Sequence, residues 1–293
     1  MKRFEFTFES VNSDNYTKPI TVLVIEPDNI TPSTGVMLFT HGWGGNRFQH
    51  EDKMLHAADA FDLVCISVEY RQSGYDFNPV TGLGAYRPYD ASFYQVFDVL
   101  NALRSVLHVR PDLNRNRLFH YGGSQGGHIA LLTSLYAPKT FAFIYASCPL
   151  THLDEDIRLW TGRSFTPDEL SIRSVPDHAH QIDTPVHVEY GDADLTVNCD
   201  RHSRSLQKQL EELGKPNSFI LYPGGGHDLM PTTNKLDAFK ENVSELMRTR
   251  TRENPDDFLD QSVVSIPTPN NKLIIDWSQP TTSLQLFKWK NPI

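Results

Sequence analysis

Short apolar runs typical of β-strands alternate with helical patterns through most of this chain. In the stretch 90–108, apolar residues recur at helical spacing, and Asp90 is suited to cap the start of that helix. Parallel strands need crossovers of this length, so the alternation predicts an α/β fold, a mostly parallel sheet with helices on both faces. We count eight strands, near 2–8, 20–26, 36–40, 63–68, 117–121, 141–147, 185–190 and 218–222.

Two segments depart from this alternation. Residues 149–184 fall between the sixth and seventh strands and are too long for a simple crossover, so we expect a short cap over the strand ends. Residues 254–293 hold three strand-like runs separated by proline and asparagine. We therefore predict one α/β domain over 1–253, with the cap as an insert, and a C-terminal β extension over 254–293 that packs on or beside it.

Charge and composition exclude several classes of partner. Lys and Arg number 27 against 36 Asp and Glu, which gives a net charge of −9. Without a local basic patch, this balance disfavours nucleic acids and anionic membranes. No window approaches the roughly 18 apolar residues of a membrane helix, and the polar–apolar alternation at 1–10 is not that of a signal peptide. The three cysteines (Cys65, Cys148 and Cys199) are few and far apart, so we expect buried thiols and a cytoplasmic protein.

A glycine-rich turn joins the strand at 117–121 to the helix that follows. It reads GGSQGG over residues 122–127, which places the pattern Gly-x-Ser-x-Gly in the strand-to-helix context where it carries chemistry. Glycines let the turn close tightly and present the Ser124 hydroxyl at the end of the sheet. The Gln125 backbone N–H, at the start of the helix, is then aimed at a developing oxyanion. We predict Ser124 as a nucleophile and Gln125 as one oxyanion donor.

A serine nucleophile needs a base, and the loop after the last core strand contains a histidine. Of the 12 histidines in the chain, His227 is the one that follows both the nucleophile and a candidate acid in this position. We expect its Nε2 atom within about 3.5 Å of Ser124 Oγ.

The acid that orients the histidine should follow the preceding strand. The run GDAD at 191–194 offers Asp192 and Asp194 there. Asp194 lies three residues beyond the turn glycine and can reach under the imidazole, so we favour it. Asp192 is expected to shape the turn.

A second glycine cluster, HGWGG at 41–45, follows the third strand. Its glycines let the backbone approach a substrate oxygen closely, so we assign the second oxyanion donor to the Trp43 backbone N–H. His41 is expected to brace this loop without reacting. We expect the Trp43 indole, Tyr75 and Trp160 to line the substrate pocket.

These motifs occur in the order found in the α/β-hydrolase superfamily, which the chain resembles from about residue 20 to 250. The turn GGSQGG resembles that of acetyl xylan esterases and cephalosporin C deacetylases. The short cap and the segment DTPVHVEYGDADLTV, at 183–197, resemble prolyl-oligopeptidase-like peptidases and dienelactone-hydrolase-type enzymes. The resemblance implies a serine hydrolase whose catalytic domain covers residues 1–253. The deacetylases have Arg-Gly-Gln where this chain has Arg71-Gln72-Ser73, and the peptidases usually have Tyr in place of Gln125.

Three functions remain open from the sequence. The first is hydrolysis of a small carboxylic ester through a Ser124 acyl-enzyme, and the second is cleavage of short peptides by the same residues. The third is a binding protein that kept the fold and lost turnover. We expect no cofactor and no metal site: His178 and His180 could ligate zinc but lack partners at a supporting spacing. A homo-oligomer is compatible with the sequence.

Overall fold

The computed structural model describes residues 1–12, 19–74, 89–249 and 256–291. Eight strands form the main sheet, in the order β1-β2-β4-β3-β5-β6-β7-β8. The strands are β1 (Lys2–Phe8), β2 (Ile20–Glu26), β3 (Gly35–Thr40), β4 (Leu63–Glu69), β5 (Leu118–Gly123), β6 (Phe143–Ser147), β7 (Val186–Gly191) and β8 (Asn217–Tyr222). The helices are α1 (Glu51–Phe61), α2 (Phe93–Val109), α3 (Gln125–Tyr136), α4 (Glu155–Thr161), α5 (Pro167–Ser171), α6 (Ser203–Glu212) and α7 (Lys235–Thr249).

The sheet is antiparallel where it begins and parallel from β4 onward. β1 pairs with β2 and β2 with β4 in antiparallel register, and every later pairing is parallel. Apolar side chains of α2 and α3 pack on one face of the sheet. Those of α1 and α7 pack on the other. The predicted α/β-hydrolase fold with eight strands and helices on both faces is therefore confirmed.

The start of α2 differs in detail from the prediction. The helix begins at Phe93, so Asp90 is not its capping residue. Its carboxylate still accepts a hydrogen bond from the Gln95 backbone N–H at 2.8 Å. Asp90 thus satisfies one of the free donors of the first turn from three residues before the helix.

Residues 149–184, for which the sequence predicts a cap and which we call the cap segment, form short helices. It contains α4, α5 and a 3₁₀ helix at Pro176–Gln181. Arg173 fixes it to the main fold, because its guanidinium donates to the backbone carbonyls of Asp90 and Ala91 and is 2% exposed. The cap is therefore tied to the chain just before α2.

The C-terminal residues form a separate antiparallel sheet of three strands, β9 (Val263–Pro267), β10 (Lys272–Asp276) and β11 (Phe287–Lys290). Its apolar face joins the same core as α2 and α3. The Phe287 ring stacks on Phe97 of α2 at 4.7 Å between ring centroids. The Asn270 backbone N–H donates to Asp168 of the cap at 2.8 Å. This sheet contacts both the core and the cap.

Cys65, Cys148 and Cys199 are free and buried, as predicted. Within the described ranges, no helix has both the length and the apolar character needed to cross a membrane.

Trp277, directly after β10, is the main anchor of the C-terminal sheet. Its side chain is 1% exposed, and its Nε1–H donates to the Tyr136 carbonyl at 2.9 Å. We expect Trp277→Ala to lower the free energy of unfolding by about 3–5 kcal/mol, because it opens a large cavity between this sheet and α3. Urea denaturation followed by circular dichroism measures the change.

The matched control is Trp289→Ala on β11, where the side chain is 39% exposed. We expect it to cost about 1 kcal/mol or less, since little apolar surface is lost from the core. Equal losses for the two variants would contradict the anchoring role of Trp277.

Candidate active site

Ser124 occupies the tight turn between β5 and α3. Its φ of 57° and ψ of −120° are unusual for a residue with a side chain. Two neighbouring glycines make the turn possible, because the backbones approach too closely for a Cβ. A Cβ on Gly126 would lie 2.1 Å from the Thr40 carbonyl oxygen, and one on Gly122 would lie 2.1 Å from the Gly126 carbonyl oxygen.

Asp194 and His227 meet beyond the ends of β7 and β8. The His227 Nδ1 atom and the Asp194 Oδ2 atom are 2.7 Å apart. The other carboxylate oxygen accepts from the backbone N–H groups of Thr196 and Val197 at 2.8 and 2.9 Å. Burial opposes ionisation of Asp194, but the hydrogen bond from His227 and those two backbone donors outweigh it and lower the pKa of the carboxyl. A carboxylate held this way fixes the tautomer of the imidazole, with a proton on Nδ1.

Asp192 has a different partner. Its Oδ1 accepts a hydrogen bond from the Gly224 backbone N–H at 2.7 Å. It therefore joins the loop after β7 to the loop that contains His227 and does not touch the imidazole through any described hydrogen bond.

Ser124 follows β5, which β6 separates from β7 in the sheet. Its backbone N–H donates to the Ser147 carbonyl at 2.9 Å, and the next residue, Cys148, has its Sγ within 4.8 Å of both a His227 ring nitrogen and an Asp194 carboxylate oxygen. Among the residues that the structure describes, the Ser124 hydroxyl forms no hydrogen bond, so the expected bond to His227 is not formed here. Such bonds commonly tighten only when substrate binds.

Two backbone donors flank Ser124. Gln125 opens α3, and Trp43 follows Gly42, where a Cβ would lie 3.4 Å from the Ser124 Cβ. Neither the Trp43 nor the Gln125 N–H donates to any group in the described part of the chain. Both N–H groups are therefore free to donate to a ligand, as an oxyanion hole requires.

His41 is buried in the loop that carries Trp43. Its ring stacks on Tyr70 at 4.1 Å between centroids, and its Nδ1 lies 2.8 Å from the Gly42 carbonyl oxygen. Burial lowers the pKa of His41 to about 4, so the ring is neutral near pH 7. The contacts fit the predicted bracing of the loop.

Aromatic rings line one side of the site. The Trp43 indole stacks on Tyr89 at 4.3 Å, and Trp160 of the cap meets Trp43 edge-on at 6.2 Å. Trp160 is 53% exposed, so apolar surface stays open beside Trp43. Tyr75, the third residue predicted for the pocket, lies outside the described residues.

Cys148 was not singled out from the sequence as a neighbour of these groups. It follows β6, and no local sequence pattern identifies it, because its place depends on β6 lying between β5 and β7 in the sheet. Burial raises the pKa of its thiol to about 11, which keeps it protonated. Cys148, Asp194 and His227 are the one set of three potential metal ligands this close together within the described ranges, and His178 and His180 form no such set.

The sequence and the fold are both similar to those of known serine peptidases. The model of the prolyl oligopeptidase family matches residues 90–246, more than half of the chain. The uncharacterized peptidase YtmA of Bacillus subtilis (strain 168) is 26% identical over 150 residues, which is 47% of this chain and 58% of YtmA. The chain thus spans little more than half the length of this curated relative.

Solved structures share the fold at low sequence identity. The acylaminoacyl peptidase of Pyrococcus horikoshii superposes with a TM-score of 0.68 at 17% identity, over 87% of this chain and 42% of its own. An acylaminoacyl peptidase in complex with Z-Gly-Gly-Phe-chloromethyl ketone gives a TM-score of 0.68 at 18% identity, with the same two coverages of 87% and 42%. From the family match and this fold, the chain belongs to the prolyl oligopeptidase family, within the α/β-hydrolase superfamily of serine hydrolases.

Proposed function

We propose that this serine hydrolase is a peptidase that cleaves short peptides through a Ser124 acyl-enzyme. The observation that carries the proposal is the 2.7 Å hydrogen bond between His227 and Asp194. It occurs at the same edge of the sheet as Ser124, which has unusual backbone angles in the turn between β5 and α3. The names of the relatives support peptide substrates, since YtmA and the acylaminoacyl peptidases are described as peptidases.

In the proposed mechanism, each residue has one task. Ser124 Oγ attacks the carbonyl carbon while His227 Nε2 takes its proton, and the Trp43 and Gln125 N–H groups stabilise the oxyanion. His227 then gives the proton to the leaving amine, the C–N bond breaks and an acyl ester remains on Ser124. Water, deprotonated by His227, attacks this ester and releases the acid. Asp194 stabilises the imidazolium in both steps.

The cap limits the size of the substrate in this proposal. The contact between Trp160 and Trp43 supports this, because it joins the cap segment to the loop of a proposed oxyanion donor. Residues 1–253 would hold the catalytic groups and this cap, whereas the extension 254–293 would support α2 and α5 from outside. A short peptide with an apolar side chain next to the scissile bond suits the aromatic wall.

Ester hydrolysis is the second candidate. It was the preferred hypothesis from the sequence, and membership of the prolyl oligopeptidase family does not confirm it. The observation that favours it is Gln125, the residue after the nucleophile, which matches the turn of the deacetylases and is 1% exposed. Esters need less help in expelling the leaving group, so the same residues would cleave both classes.

A substrate panel with Ser124→Ala as control tests the proposed function. We expect peptide amides with an apolar residue before the scissile bond to give a higher kcat/KM than acetyl esters of sugars. Ser124→Ala should lower the rate by about 10⁶-fold, to background, because the covalent route is lost. Faster turnover of acetyl esters would establish the second candidate, and turnover that survives in Ser124→Ala would reject Ser124 as nucleophile.

Substitutions of the two aspartates near His227 should have different effects on kcat. Asp194→Asn should lower kcat by about 10⁴-fold, because an amide at this position favours the wrong imidazole tautomer. Asp192→Asn keeps an oxygen that can accept from Gly224 N–H and should change kcat by less than about tenfold. Steady-state kinetics of the purified variants measures both. A larger loss for Asp192→Asn would reverse the assignment of the acid.

A further inference from the structure

Tyr89 touches both residues whose backbone N–H groups flank Ser124. Its ring stacks on the Trp43 indole at 4.3 Å with 24° between the planes. Its hydroxyl lies 3.0 Å from Nε2 and 3.1 Å from Oε1 of the Gln125 side chain. Trp43, in the loop after β3, and Gln125, the first residue of α3, are more than 80 residues apart in the sequence. One side chain therefore bridges the two halves of the candidate oxyanion hole.

Tyr89 is itself held firmly. It is 4% exposed, and its hydroxyl also lies 3.2 Å from Nε2 of Gln95 on α2. The Gln95 amide donates in turn to the Arg71 carbonyl at 3.1 Å, and its oxygen accepts from Gln125 Nε2 at 3.0 Å. Because each polar atom in this buried group has a partner, the hydroxyl is fixed in place.

The backbone beside Tyr89 is fixed as well. The Asp90 N–H donates to Gln72 Oε1 at 2.7 Å, and the Asp90 carbonyl accepts from the Arg173 guanidinium at 2.8 Å. The position of Tyr89 is thus set by α2, by the turn after β4 and by the cap. Because Tyr89 is held from three sides, it can restrict the movement of Trp43 and Gln125, the two residues that it contacts.

We propose that Tyr89 is a positioning residue that sets the Trp43 and Gln125 backbone N–H groups for the oxyanion. The inference rests on the proposed acyl-transfer function and adds a residue to it. Preorganised donors are effective because they need not reorient as charge develops. Loss of the ring would remove the stacking support of the Trp43 loop. Loss of the hydroxyl alone would leave the stacking intact and the Gln125 side chain held only by its bond to Gln95.

Two substitutions separate these contributions. Tyr89→Phe keeps the ring on Trp43 and should lower kcat by about threefold to tenfold. Tyr89→Leu removes both contacts and should lower kcat by about 10²-fold, the effect of a small misplacement of catalytic groups. In both variants KM should stay within about threefold, because the oxyanion forms only in the transition state.

The matched control is Tyr136→Phe. Tyr136 is also fully buried, and its hydroxyl donates to the Ile172 carbonyl at 3.1 Å, away from Ser124. We expect its kcat to stay within about twofold of wild type, since it loses a buried hydrogen bond without touching either donor. Circular dichroism during heating confirms that every variant is folded at the assay temperature.

The rate constant for labelling of Ser124 by a fluorophosphonate gives a second readout that needs no known substrate. Attack on phosphorus places negative charge on an oxygen that uses the same donors, so labelling should slow in the order wild type, Tyr89→Phe, Tyr89→Leu. Labelling at the wild-type rate in folded Tyr89→Leu would overturn the role of Tyr89.

The outcomes distinguish this inference from the proposed peptidase activity. A wild type that is labelled but cleaves only esters contradicts the peptidase function. In that case the order of labelling rates still tests whether Tyr89 positions the two N–H groups. A wild type that is not labelled at all overturns both, because neither Ser124 nor its donors would then be active.

Discussion

The close approach of three backbone segments beneath Ser124 is the constraint on which the rest of the site depends. The end of β3, the end of β5 and the first turn of α3 meet so closely that Gly122 and Gly126 have no room for a Cβ. The Thr40 hydroxyl donates to the Gly126 carbonyl at 2.8 Å and holds the segments together. This contact forces the unusual backbone angles of Ser124 and brings the β3 loop, with Trp43, to the side of the serine.

The parallel order of the strands brings the other residues of the site together. β5, β6, β7 and β8 are successive neighbours, so their carboxyl ends deliver Ser124, Cys148, Asp194 and His227 to one edge of the sheet. Three hydrogen bonds join the paired loops after β7 and β8. The backbone bond runs from Ala193 N–H to the Gly225 carbonyl at 3.0 Å, and the two side-chain bonds join Asp192 to Gly224 and Asp194 to His227. The Asp192 bond helps to hold the loops together and the Asp194 bond orients the imidazole, so the two neighbouring aspartates have different roles.

The sequence was sufficient for the elements of the fold and for the pairing of His227 with Asp194, because apolar periodicity, turn glycines and the order of motifs are local patterns. It could not predict contacts between distant segments. The bridge from Tyr89 to Trp43 and Gln125 depends on how α2, the cap and two loops pack. The position of Cys148 beside His227 depends on strand order, and the choice of peptide over ester depends on the shape of the pocket and not on the catalytic residues.

The most direct test of the central claim is a crystal structure of the protein after reaction with a fluorophosphonate. We predict a bond from Ser124 Oγ to phosphorus, with the phosphoryl oxygen about 2.7–3.1 Å from the backbone nitrogens of both Trp43 and Gln125. The His227 ring should then lie within hydrogen-bond distance of Ser124 Oγ while it keeps its bond to Asp194. Phosphonylation of another residue, or an oxygen that faces away from both nitrogens, would contradict this mechanism.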